Sequence, residues 1–165
     1  MILRKDALPK NELTKLKHKL GRIFAPMSLV YISRKEHFNA AHKLWNPNWS
    51  DQKNQDVFGK CANVNWHGHN YELHVTVKGT PNPETGYCTD LKVLSDIIRK
   101  NVTDKLDHKN LNLDVPFMKG KMASTENLVI EIWKILEPLI VDGNCKLHCI
   151  KLYETPNNYA EYYGE

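Results

Sequence analysis

Between residues 69 and 78 the sequence alternates without a break, setting Tyr71, Leu73, Val75 and Val77 against Glu72, His74, Thr76 and Lys78. Successive side chains of a strand point to opposite faces, so this run reads as a β-strand with one face in a core and the other polar. A protein with such a strand must build a sheet around it and cover one face of that sheet.

The flanking segments supply the rest. Residues 28 to 43 (SLVYISRKEHFNAAHK) are β-rich at the start and predict a first strand with His42 near its end. Residues 45 to 60 are dense in Asn, Asp, Ser, Pro and Gly and read as a loop with room for one helical turn. TPNPETG (80–86) ends the alternating strand, and residues 87 to 89 can add a short extended piece. Thr89 or Asp90 caps a helix carrying Leu91, Leu94, Ile97, Ile98, Val102 and Leu106 at helical spacing. A second helix starts at Ser124 or Thr125 and ends before Pro138, with a loop over residues 107 to 123 between the two. Residues 145 to 154 and 159 to 163, separated by TPNN, form a closing strand pair. The order strand, strand, helix, helix, strand, strand (ββααββ) predicts an α+β fold: an antiparallel four-stranded sheet with both helices on one face. Such a sheet leaves two edges, and pairing edges between subunits covers them, so an oligomer is expected.

The 165 residues fit one domain. Of the net charge of +4, residues 1 to 24 hold +5, with seven Lys or Arg against Asp6 and Glu12, and the remainder carries −1. The basic character thus belongs to an N-terminal extension, and the body lacks the basic face a nucleic-acid partner needs. Within the extension Leu13, Leu16, Leu20 and Ile23 recur at helical spacing, compatible with an amphipathic helix. No apolar run reaches a membrane span and no secretory signal precedes the body, so no membrane partner and a cytoplasmic location are expected. In that compartment Cys61, Cys88, Cys145 and Cys149 read as thiols rather than disulfides.

The chemistry concentrates around WHGHNYELHV. His67 and His69 are two apart on a strand, so both imidazoles point to one side at a spacing two ligands of one metal can use. Gly68 permits close backbone approach on the other face. His42 is the best-placed third ligand, and three neutral nitrogens suit zinc with a fourth position open. On spacing alone, a surface strand pair and an unrelated loop histidine remain the alternative. Cys61, six residues before His67, is either a fourth ligand or a free thiol acting as a base beside the cation. Asp107 and His108 are candidates for acid–base work, and Glu154 places a carboxylate on the strand face of Ile150 and Leu152, where its two oxygens can accept parallel hydrogen bonds from an amidine-like edge.

Taken together, FNAAH (38–42), FGKCANVNWHGHNY (58–71), LDHKNL (106–111) with DVP (114–116), STEN (124–127) and YET (153–155) resemble the 6-pyruvoyl tetrahydropterin synthase family over residues 38 to 165. The resemblance implies one Zn2+ per subunit on His42, His67 and His69, Cys61 as proton acceptor, and Asp107 and His108 as relay partners. It also implies Glu154 as pterin anchor, with Ser124 and Thr125 against the ring. It further implies the tunnelling fold, sheets joined into a barrel in a homohexamer of two trimers, and sites between subunits, so that His108 would serve a neighbour's Cys61. The implied activity is a lyase of tetrahydrobiopterin biosynthesis, converting 7,8-dihydroneopterin triphosphate to 6-pyruvoyl-tetrahydropterin with loss of triphosphate. Lys60, Lys119 and Lys121 are candidates for the phosphates, and whether Mg2+ accompanies them is left open. The related queuosine-pathway 6-carboxytetrahydropterin synthase is the alternative; the interval between Cys61 and His67 favours the first. Residues 1 to 27 have no counterpart, leaving 28 to 165 as the catalytic domain. Asn39 and Ala41 depart from the serines common near the first ligand, and Pro156 alters the turn after YET.

Overall fold

A computed structural model describes residues 28–142 and 145–165. The helix expected within residues 11 to 23 lies outside them. The elements in chain order are β1 (Val30–His42), α1 (Asp51–Phe58), β2 (His67–Gly79), α2 (Leu91–Ile98), a π-helical segment (Arg99–Thr103), α3 (Asp104–Leu106), β3 (Lys109–Asn110), α4 (Thr125–Leu136), β4 (Val141–Asp142), β5 (Cys145–Thr155) and β6 (Asn158–Tyr162).

The four long strands lie in the order β1-β2-β5-β6, all antiparallel, as the alternation predicts. The sheet is nonetheless six-stranded and mixed, which corrects the expectation of a four-stranded antiparallel one. Two-residue β3 runs parallel to β1 at Ala40 and Ala41, and two-residue β4 pairs with β5. Both exist because an adjacent loop returns along a strand edge and satisfies its free backbone groups; ladders this short have no side-chain periodicity to announce them.

One face of the sheet carries Phe38, Ala40, Tyr71, Leu73, Val75, Val77, Ile150 and Leu152, and both helical segments cover it, giving one apolar core. Leu128, Ile132 and Leu136 of α4 are fully buried, each contributing about 1.5–3 kcal/mol of burial. Ser124 caps α4 through Asn127 N–H, and Asp90 caps α2 through Lys92 N–H. Between α2 and α3, core residues Leu94, Ile98, Val102 and Leu106 follow one another at four-residue steps. At 3.6 residues per turn each step drifts roughly 40° around an α-helix, about 120° over three. The π-helical turn at Arg99–Thr103 takes up that drift, so all four stay against the sheet.

The segment at 45–60 differs from expectation in holding an eight-residue helix rather than one turn. Its residues give no apolar stripe because α1 buries only Asn54, whose amide bonds the Asn46 and Ser50 carbonyls. Residues 87 to 89 form no strand.

Candidate active site

The site is set by register. β1 ends on His42 and β2 begins on His67, directly opposite each other across the ladder; Ala40 faces His69, and Phe38 faces Tyr71. Period-two alternation then puts all three imidazoles on the helix-covered face. Their ring centroids lie 4.5 Å (His42–His67), 5.1 Å (His42–His69) and 5.0 Å (His67–His69) apart. One ligand atom from each lies within 4.8 Å of the others, so the group can hold a metal ion. On the opposite face a Cβ at Gly68 would approach the Ala40 carbonyl to 3.3 Å, so the glycine allows the close strand approach at this end.

His42 is 2% exposed, and its Nδ1 lies 2.6 Å from the Ala123 carbonyl. Burial lowers its pKa, against the opposing pull of that carbonyl and of Glu154. His67 is lowered by burial and then by His42; His69 by burial, opposed by Glu154. All three are therefore held neutral with lone pairs available, the state a metal requires. His42 Nε2 and His67 Nδ1 are buried without a hydrogen-bond partner, each at a cost of about 1–3 kcal/mol. The donor set and these orphaned nitrogens fit a metal ion.

Beside the triad lies a cavity of about 280 Å³, lined by His42, Cys61, Ser124, Thr125 and Glu154 among others. Cys61 is half-buried on the 3-10 turn Gly59–Ala62, fixed by its carbonyl accepting Leu44 N–H at 2.8 Å. Glu154 enters from β5 and accepts a hydrogen bond from Thr125 Oγ1 at 3.1 Å. Its Oε1 is 3.4 Å from His42 Nε2 and 3.8 Å from His69 Nε2. Five of the residues singled out in the sequence thus share one cavity, with His67 and His69 joined to it through their ring contacts with His42.

Asp107 and His108 do not join them. His108 lines two other clefts, one reaching His69 from across β1 and one, shared with Asp107, beside Glu36, His37 and Arg99. Neighbouring residues ordinarily point apart, yet here His108 Nδ1 lies 2.8 Å from Asp107 Oδ2. A left-handed backbone at His108, φ 57°, folds the ring back onto the carboxylate. Asp107 Oδ1 accepts the Asn39 N–H at 2.8 Å, and His108 N–H bonds the Asn39 carbonyl at 2.7 Å, so the pair is clamped to β1. The Asn39 backbone bond, then the His108 bond, hold the Asp107 carboxyl below its ordinary pKa. Of the candidate phosphate lysines, Lys121 is taken by Glu131 at 2.9 Å.

Tyr71 was not singled out in the sequence. Its hydroxyl is buried without a partner, and its ring lies 5.7 Å from His69 and 6.1 Å from His42. Burial, reinforced by the charge of Glu154, raises its pKa. The signal was available: a tyrosine two residues after His69 on a face otherwise filled by Leu73, Val75 and Val77.

Fold and site together define an α+β protein with a metal-capable histidine centre at the open end of its two longest strands. The model of the 6-pyruvoyl tetrahydropterin synthase family matches residues 31–165. The chain is 42% identical to the 6-pyruvoyl tetrahydrobiopterin synthase of Pongo abelii, over 81% of this chain and 91% of that protein. It is also 42% identical to that of Dictyostelium discoideum, over 82% and 97%. The solved Caenorhabditis elegans 6-pyruvoyl tetrahydropterin synthase superposes with a TM-score of 0.78 at 36% identity, covering 84% of this chain and 98% of that one. A 6-carboxy-5,6,7,8-tetrahydropterin synthase of Bacillus subtilis is 24% identical over 79% of this chain and 83% of that protein. The chain belongs to the 6-pyruvoyl tetrahydropterin synthase family. No helix of the described residues is long and apolar enough to cross a membrane.

Proposed function

We propose that this protein is a zinc-dependent 6-pyruvoyltetrahydropterin synthase, a carbon–oxygen lyase that converts 7,8-dihydroneopterin triphosphate to 6-pyruvoyl-tetrahydropterin and triphosphate. The supporting observation is the cavity in which His42, Cys61, Thr125 and Glu154 meet beside His67 and His69. His42, His67 and His69 would hold the zinc, which supplies the Lewis acidity that makes C–H bonds next to the substrate's hydroxyl oxygens acidic.

Glu154 anchors the pterin through its ring N–H edge, with Ser124 and Thr125 against the ring. Cys61 takes the proton from C1′, and a proton is returned at C6. Loss of the C2′ proton then expels triphosphate, leaving two ketones on the substituent at C6 with no redox cofactor. Asp107 and His108 do not line the cavity that holds Cys61 of their own subunit, which favours a relay role at a neighbouring subunit's site. This accords with a homohexamer of two trimers whose sheets join into a barrel. Residues 28 to 165 form the catalytic domain and 1 to 27 a basic extension, and the enzyme acts in the cytoplasm in tetrahydrobiopterin biosynthesis.

The test is incubation of purified protein with 7,8-dihydroneopterin triphosphate and analysis of products by mass. A pyruvoyl pterin plus triphosphate is expected; a carboxy pterin would assign the queuosine-branch reaction instead. Cys61→Ala should keep about one zinc per subunit while turnover falls roughly 10²- to 10⁴-fold. Loss of zinc with the thiol would make Cys61 a ligand.

A further inference from the structure

The β1–β2 ladder ends on the pair His42 and His67. One position further out Lys43 and Trp66 meet: the Lys43 ammonium lies 4.4 Å from the centre of the Trp66 ring and 4.9 Å from that of Trp45. The electron-rich face of an indole attracts a cation at this range. The backbone of Lys43 is itself fixed, since its N–H donates to Asn112 Oδ1 at 3.0 Å and its carbonyl accepts from Asn112 Nδ2 at 3.1 Å.

Trp66 stands at φ 67°, where glycine is unstrained and a bulky side chain is not. Its N–H donates to the Asn63 carbonyl at 3.0 Å, and Asn63 N–H donates to the Lys60 carbonyl at 3.3 Å. The strained residue thus closes the short turn that leads away from Cys61. Strain of this kind persists only where neighbouring contacts outweigh it. Here the contact on the ring comes from Lys43, so what tryptophan adds over glycine is an attachment of the turn to the end of β1.

We propose that Lys43, Trp45 and Trp66 form a clamp that positions the Cys61 thiol against the histidine triad. The loop bearing Cys61 is tied to the residues after His42 at two points: Leu44 N–H donates to the Cys61 carbonyl at 2.8 Å, and Lys43 holds Trp66. A single hydrogen bond leaves a loop free to pivot about it, and a second attachment removes that rotation. Both attachments follow directly on His42, so the thiol and the metal-binding nitrogens share one frame. His42 keeps its own bond to the Ala123 carbonyl and His67 its place in the ladder, so loss of the clamp should move the thiol and spare the triad. The three residues act through Cys61 and are positioning residues.

Because this rests on Cys61 being the base of the proposed reaction, one arm of the experiment needs neither substrate nor metal. The unaltered protein, Lys43→Arg, Lys43→Met and Trp66→Gly, each full length, are compared in turnover of 7,8-dihydroneopterin triphosphate and in zinc affinity by chelator competition. Free of metal, they are compared in the rate at which iodoacetamide alkylates Cys61, read by peptide mass. Lys43→Met and Trp66→Gly should lower kcat about tenfold with KM within about twofold. Both should raise the alkylation rate and leave zinc affinity unchanged. Lys43→Arg keeps a cation over the rings and should behave as the unaltered protein. Trp66→Gly relieves the backbone strain while removing the ring, so kcat should fall with Tm nearly unchanged, unlike a general loss of structure. Unchanged kcat and alkylation in Lys43→Met, an equal loss in Lys43→Arg, or a fall in zinc affinity matching the fall in turnover overturns the proposal. If Lys43→Met misfolds, Trp66→Gly carries the same comparison. Absence of turnover in the unaltered protein would remove the assigned reaction, and the alkylation rates would then decide on the clamp alone.

Discussion

Replacing His42 and His67 separately by alanine separates what each histidine does for the fold from what it does for the metal. Without metal, His42→Ala strips the Ala123 carbonyl of its 2.6 Å donor at a position only 2% exposed. Leaving that acceptor unpaired costs about 1–3 kcal/mol. His67→Ala removes a buried nitrogen that has no partner to lose, and its metal-free cost should stay under about 1 kcal/mol. Zinc at one hundred times its dissociation constant adds about 2.7 kcal/mol to a protein that binds it only when folded. At about 2–4 °C per kcal/mol for a protein of this size, that is an upward shift of roughly 5–11 °C. Calorimetric melting in chelator and in zinc should therefore show the full increment for the unaltered protein and almost none for either variant. His42→Ala should also melt lower in chelator. A zinc increment that survives in His67→Ala would remove this residue from the metal centre. Equal metal-free losses in the two variants would refute the assignment of the Ala123 bond.

Three further outcomes follow from the same geometry. The three histidines have pKa values lowered by burial, so below about pH 6.5 the unfolded polypeptide takes up protons first; their contribution to metal-free stability is present above that pH and lost as pH falls through the folded values, visible as a falling Tm in chelator. Mixing Cys61→Ala with His108→Ala, each inactive alone, should restore activity to about a quarter of the sites if each site draws on two subunits; no recovery after co-refolding would place both residues in one subunit's site. Gly164→Ala would bring a Cβ to 2.2 Å from Trp133 at φ 83°, so destabilisation of about 1–3 kcal/mol is expected in denaturant unfolding.

What was legible in the sequence was whatever periodicity or a recognisable cap encodes. β2 could be read from its alternation, α4 from Ser124 and its apolar stripe, and the convergence of His67 with His69 from their spacing. What could not be read depends on contacts remote in sequence. α1 lacks an apolar face because it is held by one buried asparagine amide. β3 and β4 are products of loops finding free edges. That Asp107 and His108 stay out of the cavity lined by Cys61 follows from the Asn39 clamp and a left-handed residue, neither of which has a local signature. Tyr71 was legible but reads as core until its hydroxyl is found unpartnered.

β1 is written on both faces. Phe38, Ala40 and His42 turn inward to the core and the metal triad, while the backbone of Asn39 and Ala41 holds the loop that carries Asp107 and His108. Insertion or deletion of a single residue before His42 would exchange the two faces at a stroke, sending the imidazole to the solvent side. This strand therefore has no neutral change of length. In the divergence of such proteins, insertions are expected to collect in segments like residues 80 to 90, leaving the thirteen positions of Val30–His42 as a ruler of fixed length between the fold and its chemistry.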